Sequence, residues 1–599
     1  MSEIESVATS ATPPPKENVF KNFLKKLVAR KTMREIDEEI SGRSLLSPSL
    51  NWIHLTGIGL GAIIGAGIFV LSGQAAAKNA GPSVIISFIA TGIVALFAAL
   101  SFSELMAMMQ LSGAAYTYTY AEYPAWFIGW NYALLNQLSA LTVVVNWSKY
   151  VVHLIDIVSD YNATTWAVRA PLAWTDSTHE FYVTGGAINF PAIIITLAVT
   201  VLLISGIRAT AIVNLVLVVF KILILLIFIF ATCKYVDRKN YDPFIPSNKG
   251  SFSEYGVSGI VEACNLVFFA YVGFETVATV AEESQARTRP LPYATISSLL
   301  ISLFIYIGIC TVLVGLVPYQ SLNTDSPLSD AIKSTPYGLW LSVLLDLGGI
   351  AGLTTVALTT LLSQTRIFFA MSHDGLLPSI FGRTHWTAGI PWKTDTPWVS
   401  TIFSGVVCAV FAGFCPIDVI GETTSISALI TYLFVHIDLV VLRYTRHDAN
   451  RIFKVPFGPW LIPVIGSILC ILLMITIKKE TYFRFLVWTL IGQFVYFSYG
   501  FRHSKKRKQA IQLSSRTSDI ELVPTVQKLV VEYSNAQLEP NIDSNINQNN
   551  EVKFYVNDAL TDESTPDVKV INETNEDNMS ESSSETINKE DSAKIYTIT

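Results

Sequence analysis

The sequence is poor in charged residues and in cysteine. Only 15% of its 599 residues are Asp, Glu, Lys or Arg, whereas 51% are hydrophobic, which is outside the usual range of soluble globular domains. The six cysteines have neither a CxxC pair nor metal-ligand spacing, so no disulfide framework or zinc site is indicated. No GxSxG, HExxH or phosphate-binding loop is present, and the sequence therefore predicts neither an enzyme nor a cofactor.

The first 50 residues contain no apolar run of the kind found in signal peptides, so the first membrane span is expected to act as the insertion signal. Residues 16–36 place apolar side chains among lysines. Two interpretations of this stretch remain open. It is either an amphipathic helix on an anionic inner leaflet or a cytoplasmic helix that packs against the membrane domain.

Charge is divided unevenly along the chain. Residues 1–508 contain 35 Lys and Arg and 30 Asp and Glu, whereas residues 509–599 contain 6 and 17. The acidic tail has few aromatic residues and no sustained apolar period, so it cannot bury enough surface to offset the entropy of ordering. We therefore predict a cytoplasmic N-terminal segment at 1–50, a membrane domain at 51–500 and a disordered cytoplasmic tail at 501–599.

Long apolar segments predict an all-α integral membrane protein. A bilayer core of about 30 Å is crossed by about 20 apolar residues in a helix, and about twelve segments meet this requirement. They lie at 53–72, 83–104, 126–151, 189–206, 210–232, 258–280, 293–317, 339–370, 398–415, 424–443, 459–477 and 482–500. With both termini cytoplasmic, the inside segments up to Lys508 hold 21 Lys and Arg and the outside loops nine, which favours this orientation. The outside loop at 152–188 then carries a glycosylation acceptor at Asn162.

The first span, GIGLGAIIGAGIFV, is rich in glycine, which weakens a helix by about 1 kcal/mol per residue relative to alanine. Gly57 and Gly61 have the spacing of close helix packing through GxxxG contacts. Gly65, Ala66 and Gly67 lie near mid-membrane and directly precede bulky residues. This arrangement favours an interruption of the helix at these three residues.

The sixth span contains Gly273 and Glu275 inside an apolar run. An acid in a span costs about 2.5–3.5 kcal/mol on insertion scales, so Glu275 is expected to face the bundle interior. Two roles remain open for it, a hydrogen-bonding strut or a contact with a substrate or gate.

Interruptions in spans one and six are expected if spans one to five and six to ten are inverted repeats. Released amides then bind an anion and released carbonyls a cation, which suits a zwitterion such as an amino acid.

The fifth span is apolar except for Asn214 and Lys221. Lys221 lies about 16 Å from either end, and its side chain of about 6 Å cannot reach the membrane surface. We expect its acceptors to be carbonyls released in the first span and hydroxyls of the eighth. The eighth span offers Thr354, Thr355, Thr359 and Thr360. Three roles remain open: a permanent charge in place of sodium, a group that loses its proton during a cycle, or a structural lysine paired with an acid.

Five motifs, taken together, are specific to a known family. They are GAIIGAGIFVLSG at 61–73, SGAAYTYTYAEYPAWFIGWNYAL at 112–134, FFAYVGFETVATVAEE at 268–283, TRIFFAMSHDGLLP at 365–378 and FKVPFGPWLIP at 453–463. Over about residues 50–500 the sequence resembles the amino acid–polyamine–organocation superfamily, and within it the cationic amino acid transporter branch. The resemblance implies a LeuT-like fold of two inverted five-helix repeats, with helices one and six broken, followed by two further helices.

The resemblance also implies site residues. Those expected to contact the carboxylate and amine of the substrate are Ile64, Gly65, Ala66 and Gly67. Those expected to shape the pocket and provide an aromatic gate are Phe269, Ala270 and Tyr271. Lys221 matches a lysine of sodium-independent bacterial relatives, which implies proton-linked or facilitated transport rather than sodium coupling.

One departure from the family pattern concerns Leu135. Bacterial members resemble GWDLILEY where this chain reads GWNYALLN at 129–136, so Leu135 stands where they have a glutamate. If that acid holds a cationic side chain or relays a proton, this protein lacks the device. Cationic and neutral amino acids therefore both remain open as substrates.

Together these features predict a secondary transporter that moves amino acids across the lipid bilayer by alternating access, with or without a coupled proton. The alternative is an amino acid sensor of the same fold that transports little and recruits cytoplasmic partners through its tail. No nucleic acid partner is expected. The plasma membrane is the expected location, and a vacuolar or lysosomal membrane is the alternative.

Overall fold

The computed structural model describes residues 46–509. Its gaps are at 47, 120, 160–166, 169, 176–179, 286–289, 385–395, 416–420, 447–448, 450 and 459. The stretch at 16–36, the acceptor Asn162 and the tail from residue 510 onward lie outside the described residues.

Helices make up most of the described chain. Those of twelve residues or more are α1 Trp52–Ile63, α2 Val84–Met108, α3 Glu122–Ser159, α4 Phe190–Ile204, α5 Ile207–Thr232, α6 Gly256–Phe268, α7 Pro290–Leu316, α8 Gly338–His373, α9 Trp398–Phe414, α10 Gly421–Thr445, α11 Leu461–Ile475 and α12 Lys479–Val495. Each overlaps one of the apolar segments in the sequence. Within the described ranges, the strands β1 (Leu172–Thr175) and β2 (Glu180–Val183) form one antiparallel pair.

Several helix ends follow from local chemistry. The side chain of Asn51 caps α1 by accepting from the amide of His54 at 3.0 Å. Asn189 caps α4 in the same way, and a proline follows in the first turn, where its missing N–H costs nothing. Gly206 separates α4 from α5 with φ +119°, a conformation that favours glycine.

The outer surface of the helices is largely apolar, unlike that of a soluble protein, and charged side chains are buried in their mostly apolar interior. Val216, Phe230 and Phe494 are 63%, 73% and 76% exposed, whereas Lys221 and Glu275 are 0% and 2% exposed. A bilayer accommodates this arrangement because lipid solvates the apolar faces and each helix satisfies its own backbone hydrogen bonds. The protein is therefore a multi-pass integral membrane protein.

Among the described residues, seven segments are long and apolar enough to cross a membrane by themselves, and one of them, Trp52–Met108, contains both α1 and α2. Helices α4 and α9 are apolar but shorter, and α11 and α12 are bent by 110° relative to each other. The count of twelve crossings and the division into two repeats of five helices therefore stay predictions.

Buried ion pairs join helices that are distant in sequence. Arg366 of α8 donates to Glu283, which follows α6, at 2.7 Å, and both side chains are 1% exposed. Arg443 of α10 donates through Nε to Glu104 of α2, also at 2.7 Å. Because a buried charge is costly unless it is paired and hydrogen-bonded, these pairs constrain which helices pack together.

Candidate functional site

Helix α1 ends at Ile63, inside the first apolar segment. Ile64 is extended, with φ −80° and ψ 97°, and a helical path resumes at Gly67–Leu71. Among the described residues, the amides of Gly65 and Ala66 have no hydrogen-bond acceptor. The predicted interruption is thus present, and it leaves two backbone donors free.

Helix α6 ends at Phe268 and continues as a tighter turn at Phe269–Tyr271. Gly273 then adopts φ +125°, and helical geometry resumes at Thr276–Thr279. A Cβ at Gly273 would lie 2.7 Å from the carbonyl oxygen of Ala62. Glycine is required here both for the backbone conformation and for the close approach to α1.

The two interruptions lie against each other. A Cβ at Gly67 would overlap Ala270, so the two backbones are in contact at this point. The hydroxyl of Tyr306 on α7 lies 2.8 Å from the carbonyl oxygen of Ile63 and 3.0 Å from that of Ala270. The Tyr306 side chain therefore joins both broken segments and provides a hydrogen-bond donor for carbonyls that the interruptions release.

A small cavity lies between the interruptions. It is lined by Ala62, Ile63, Gly65, Ala66, Gly67, Ser139, Phe269, Val272, Val356 and Thr360. The space open to the centre of a water molecule is about 10 Å³, which suffices for about one water. A larger ligand therefore enters only when the surrounding helices or side chains move.

The structure brings together four of the seven residues expected at the substrate. Those lining the cavity are Gly65, Ala66, Gly67 and Phe269. Those outside its lining are Ile64, Ala270 and Tyr271. Their polar groups have other partners; the hydroxyl of Tyr271, for example, donates to the carbonyl of Phe88 on α2 at 2.8 Å.

Some of the residues that line the cavity are not predictable from the sequence. Ser139 on α3 and Val356 on α8 reach the cavity from distant parts of the chain. A serine or a valine inside an apolar span is not distinguished by spacing or charge from its neighbours. Thr360 was expected beside Lys221, but its hydroxyl donates to the carbonyl of Val356 at 2.8 Å.

The ammonium of Lys221 lies against the C-terminal end of α1. It donates to the carbonyl oxygens of Leu60, Gly61 and Ile64 at 3.1, 3.2 and 2.6 Å, and to the hydroxyl of Thr355 at 2.7 Å. These are the predicted kinds of acceptor, carbonyls of the first span and a hydroxyl of the eighth. Within the described residues, no carboxylate is a hydrogen-bond partner of this ammonium, which argues against a lysine paired with an acid.

Glu275 faces the interior, as predicted. Its Oε2 accepts from the amide of Gly273 and from the hydroxyl of Tyr432 on α10, each at 2.9 Å. These two bonds connect the sixth interruption to α10. Of the two roles considered for Glu275, the geometry favours the strut.

Other charged groups of the helices have partners away from the cavity. Asp346 on α8 bonds to His153 at 2.8 Å, and Lys149 of α3 pairs with Asp325 at 2.9 Å. In the part of the chain that is described, no three His, Cys, Asp or Glu side chains come together as metal ligands. The oxygen atoms that could bind a cation are instead backbone carbonyls at the end of α1, and they accept hydrogen bonds from the ammonium of Lys221.

Apolar helices that cross a membrane, two of them interrupted beside a small buried cavity, are typical of secondary transporters. The family model "Amino acid permease" matches residues 50–494, and the chain belongs to the amino acid permease family.

Three relatives are similar over most of their length. The chain is 36% identical to the branched-chain amino acid permease BcaP of Bacillus subtilis over 480 residues, 80% of this chain and 98% of that protein. It is 33% identical to the methylthioribose transporter of the same organism, over 80% of this chain and 99% of that protein. It is also 33% identical to the chloroplastic cationic amino acid transporter 9 of Arabidopsis thaliana, over 78% and 90% of the two chains.

Proposed function

We propose that this protein is a secondary transporter that moves amino acids across a membrane by alternating access. The observation that carries the proposal is the pair of free amides, Gly65 and Ala66, beside a cavity between two interrupted helices. Amides at the start of a half-helix bind a carboxylate, and carbonyls near such interruptions bind an ammonium. The two groups that all amino acids share are thus recognised together. Two of the three relatives above carry names of amino acid transporters.

The proposal includes the finer architecture. Twelve helices cross the membrane, and the first ten form two inverted repeats of five around the cavity. In the proposed site the residues at 64–67 bind the carboxylate and amine, and the residues at 269–271 form the gate. The narrow cavity corresponds to a closed state that opens alternately to the two sides when the repeats move. The membrane domain at 51–500 carries this activity, and the segments at 1–50 and 501–599 are cytoplasmic.

The contacts of Lys221 support transport without sodium. Its ammonium occupies the carbonyl oxygens of Leu60, Gly61 and Ile64, which are the type of ligand that an interrupted helix offers to a sodium ion. A fixed positive charge at this position takes the place of the ion. The transport step is then either proton-linked or facilitated.

Transport by the purified protein in liposomes tests the proposal. We expect uptake of at least one of radiolabelled alanine, leucine and arginine in sodium-free buffer. Uptake that increases with an inward proton gradient indicates proton coupling, and uptake that does not respond indicates facilitated transport. A strict sodium requirement would contradict the role of Lys221. Binding without uptake would identify a sensor, and neither binding nor uptake of any amino acid would overturn the proposal.

We place the protein in the plasma membrane, with a vacuolar or lysosomal membrane as the alternative. Fractionation of cells that express the tagged full chain, with markers for each membrane, measures the location. Enrichment with the vacuolar or lysosomal marker would replace the plasma membrane assignment.

Substitutions of Glu275 test its role as a strut. Glu275→Gln is expected to transport within about threefold of wild type, because a carboxamide oxygen still accepts from Gly273 and Tyr432. Glu275→Ala leaves two buried donors unsatisfied, at about 1–3 kcal/mol each, and is expected to lose both uptake and thermal stability. Uptake and thermal unfolding are measured for both variants. If glutamine is as damaging as alanine, the charge itself is required and the gate or proton role replaces the strut.

A further inference from the structure

We propose that the cavity selects amino acids with uncharged side chains and that Ser139 sets this preference. The inference rests on the function proposed above and adds its substrate class. The names of the relatives include both branched-chain and cationic amino acid transporters, so they do not distinguish the two substrate classes. The inference is therefore drawn from the residues that line the cavity.

The side chains of the lining carry no charge. The backbone of the first interruption serves the groups that all amino acids share, so the rest of the lining faces the variable side chain. This part consists mainly of apolar side chains, with hydroxyls at Ser139 and Thr360. Thr360 already donates within α8, to the carbonyl of Val356. The hydroxyl of Ser139 is buried and has no hydrogen-bond partner among the described residues, so it is the lining side chain with an unused donor.

The buried charges near the two interruptions have partners of their own. Lys221 donates to three carbonyls and a hydroxyl, and Glu275 accepts from Gly273 and Tyr432. Neither side chain belongs to the cavity lining. A substrate cation therefore has no carboxylate in the lining with which to pair.

Helix α3 presents an uncharged face to the cavity. Leu135 lies four residues before Ser139, one helical turn away on the same face, and both side chains are buried. A lysine or arginine side chain in this cavity meets a hydroxyl but no acid, and a buried cation without a counter-charge is strongly disfavoured. An apolar substrate side chain in the same cavity has no charge to desolvate, and its burial removes apolar surface from water.

Competition measured on the reconstituted full chain tests the preference. Uptake of radiolabelled alanine, leucine and arginine is measured separately, each with unlabelled alanine, valine, leucine, lysine and arginine as competitors. We expect alanine, valine or leucine to compete at concentrations about 100-fold lower than lysine and arginine. Transport of arginine with equal or higher affinity would overturn the inference while leaving amino acid transport intact. Failure to bind or transport any amino acid would instead overturn the proposed function.

A matched pair of variants tests Ser139 directly. Ser139→Asp and Ser139→Asn have side chains of nearly the same shape and differ in charge. We expect Ser139→Asp to shift the ratio of lysine to leucine affinity toward lysine by about tenfold or more, and Ser139→Asn to leave lysine disfavoured. Equal ratios in the two variants would show that position 139 does not contact the substrate side chain. If the aspartate variant does not fold, the leucine affinity of Ser139→Asn, measured by competition, tests the role of Ser139. An affinity unchanged from wild type would show that Ser139 does not belong to the site.

Discussion

Replacing Lys221 with methionine is expected to reduce uptake by about 100-fold or more while the protein still inserts into the membrane. Methionine fills much of the same volume but cannot donate to the carbonyls of Leu60, Gly61 and Ile64. Leu60 also accepts from the amide of Ile64, and Gly61 from the hydroxyl of Thr355, so among the described residues the carbonyl of Ile64 is the one left without a donor. A buried acceptor left without a donor costs about 1–3 kcal/mol, and a 100-fold loss corresponds to about 2.7 kcal/mol. The strain falls on the end of α1, directly beside the free amides of Gly65 and Ala66. Initial uptake rates and membrane content of the variant are measured together.

Lys149→Met is the matched control for this variant. Lys149 pairs with Asp325 at 2.9 Å, but the two side chains are 34% and 62% exposed. An exposed pair contributes about 0–1 kcal/mol, so uptake is expected to stay close to wild type. Unchanged transport and an unchanged pH response in Lys221→Met would remove Lys221 from the mechanism. An equal loss in both lysine variants would indicate a general effect of lost charge.

Gly67→Ala is expected to abolish substrate binding and uptake, although it adds one methyl group. That methyl overlaps the Cα and Cβ atoms of Ala270 and lies 3.0 Å from its backbone nitrogen. Because the atoms in its way are mostly backbone, no rotation of a side chain relieves the overlap, and the two interruptions must separate. Overpacking of this kind costs about 1–3 kcal/mol, and it distorts the cavity wall itself. Substrate-dependent thermal stabilisation and uptake in liposomes are the measurements.

Gly57→Ala in the same apolar segment provides the comparison. A Cβ there meets the terminal Cδ1 of Leu215 at 3.0 Å, and this side-chain atom can move aside. Alanine also favours the helix by up to about 1 kcal/mol relative to glycine. We expect Gly57→Ala to transport like wild type. Retained substrate affinity in Gly67→Ala would show that the substrate does not bind between these two interruptions.

Local features of the sequence were sufficient to place the interruptions. Three small residues before a bulky run predicted the break at 65–67, since helix propensity is a local property and the released hydrogen bonds require no knowledge of neighbouring helices. Side-chain length predicted that Lys221 finds its acceptors inside the bundle, because the side chain cannot reach either membrane surface, and the expected break in the first span and the threonines of the eighth indicated which kinds of acceptor they are. Which of the four hydroxyls on the eighth span contacts it was not predictable, since the rotation of α8 depends on packing. The structure selects Thr355.

The residues that line the cavity could be identified only from the three-dimensional structure. Ser139 and Val356 line the cavity, and Tyr306 joins the two interruptions. These three residues come from three different helices, and no pattern along the chain marks them. The same holds for the buried pair of Arg366 and Glu283, whose members are far apart in sequence. Tyr271 shows the converse case, because the family resemblance places it at the substrate and the structure turns its hydroxyl toward α2.

The amino-acid sequence was enough to predict that this protein lies in a membrane, where its helices run and where two of them break, because bilayer thickness and backbone propensity act on consecutive residues. Which side chains meet in the cavity between the two breaks, and which helices are joined by buried ion pairs, followed only from the packed fold. Those contacts depend on the rotation and tilt of each helix, which are set by packing against helices that lie far away in the chain.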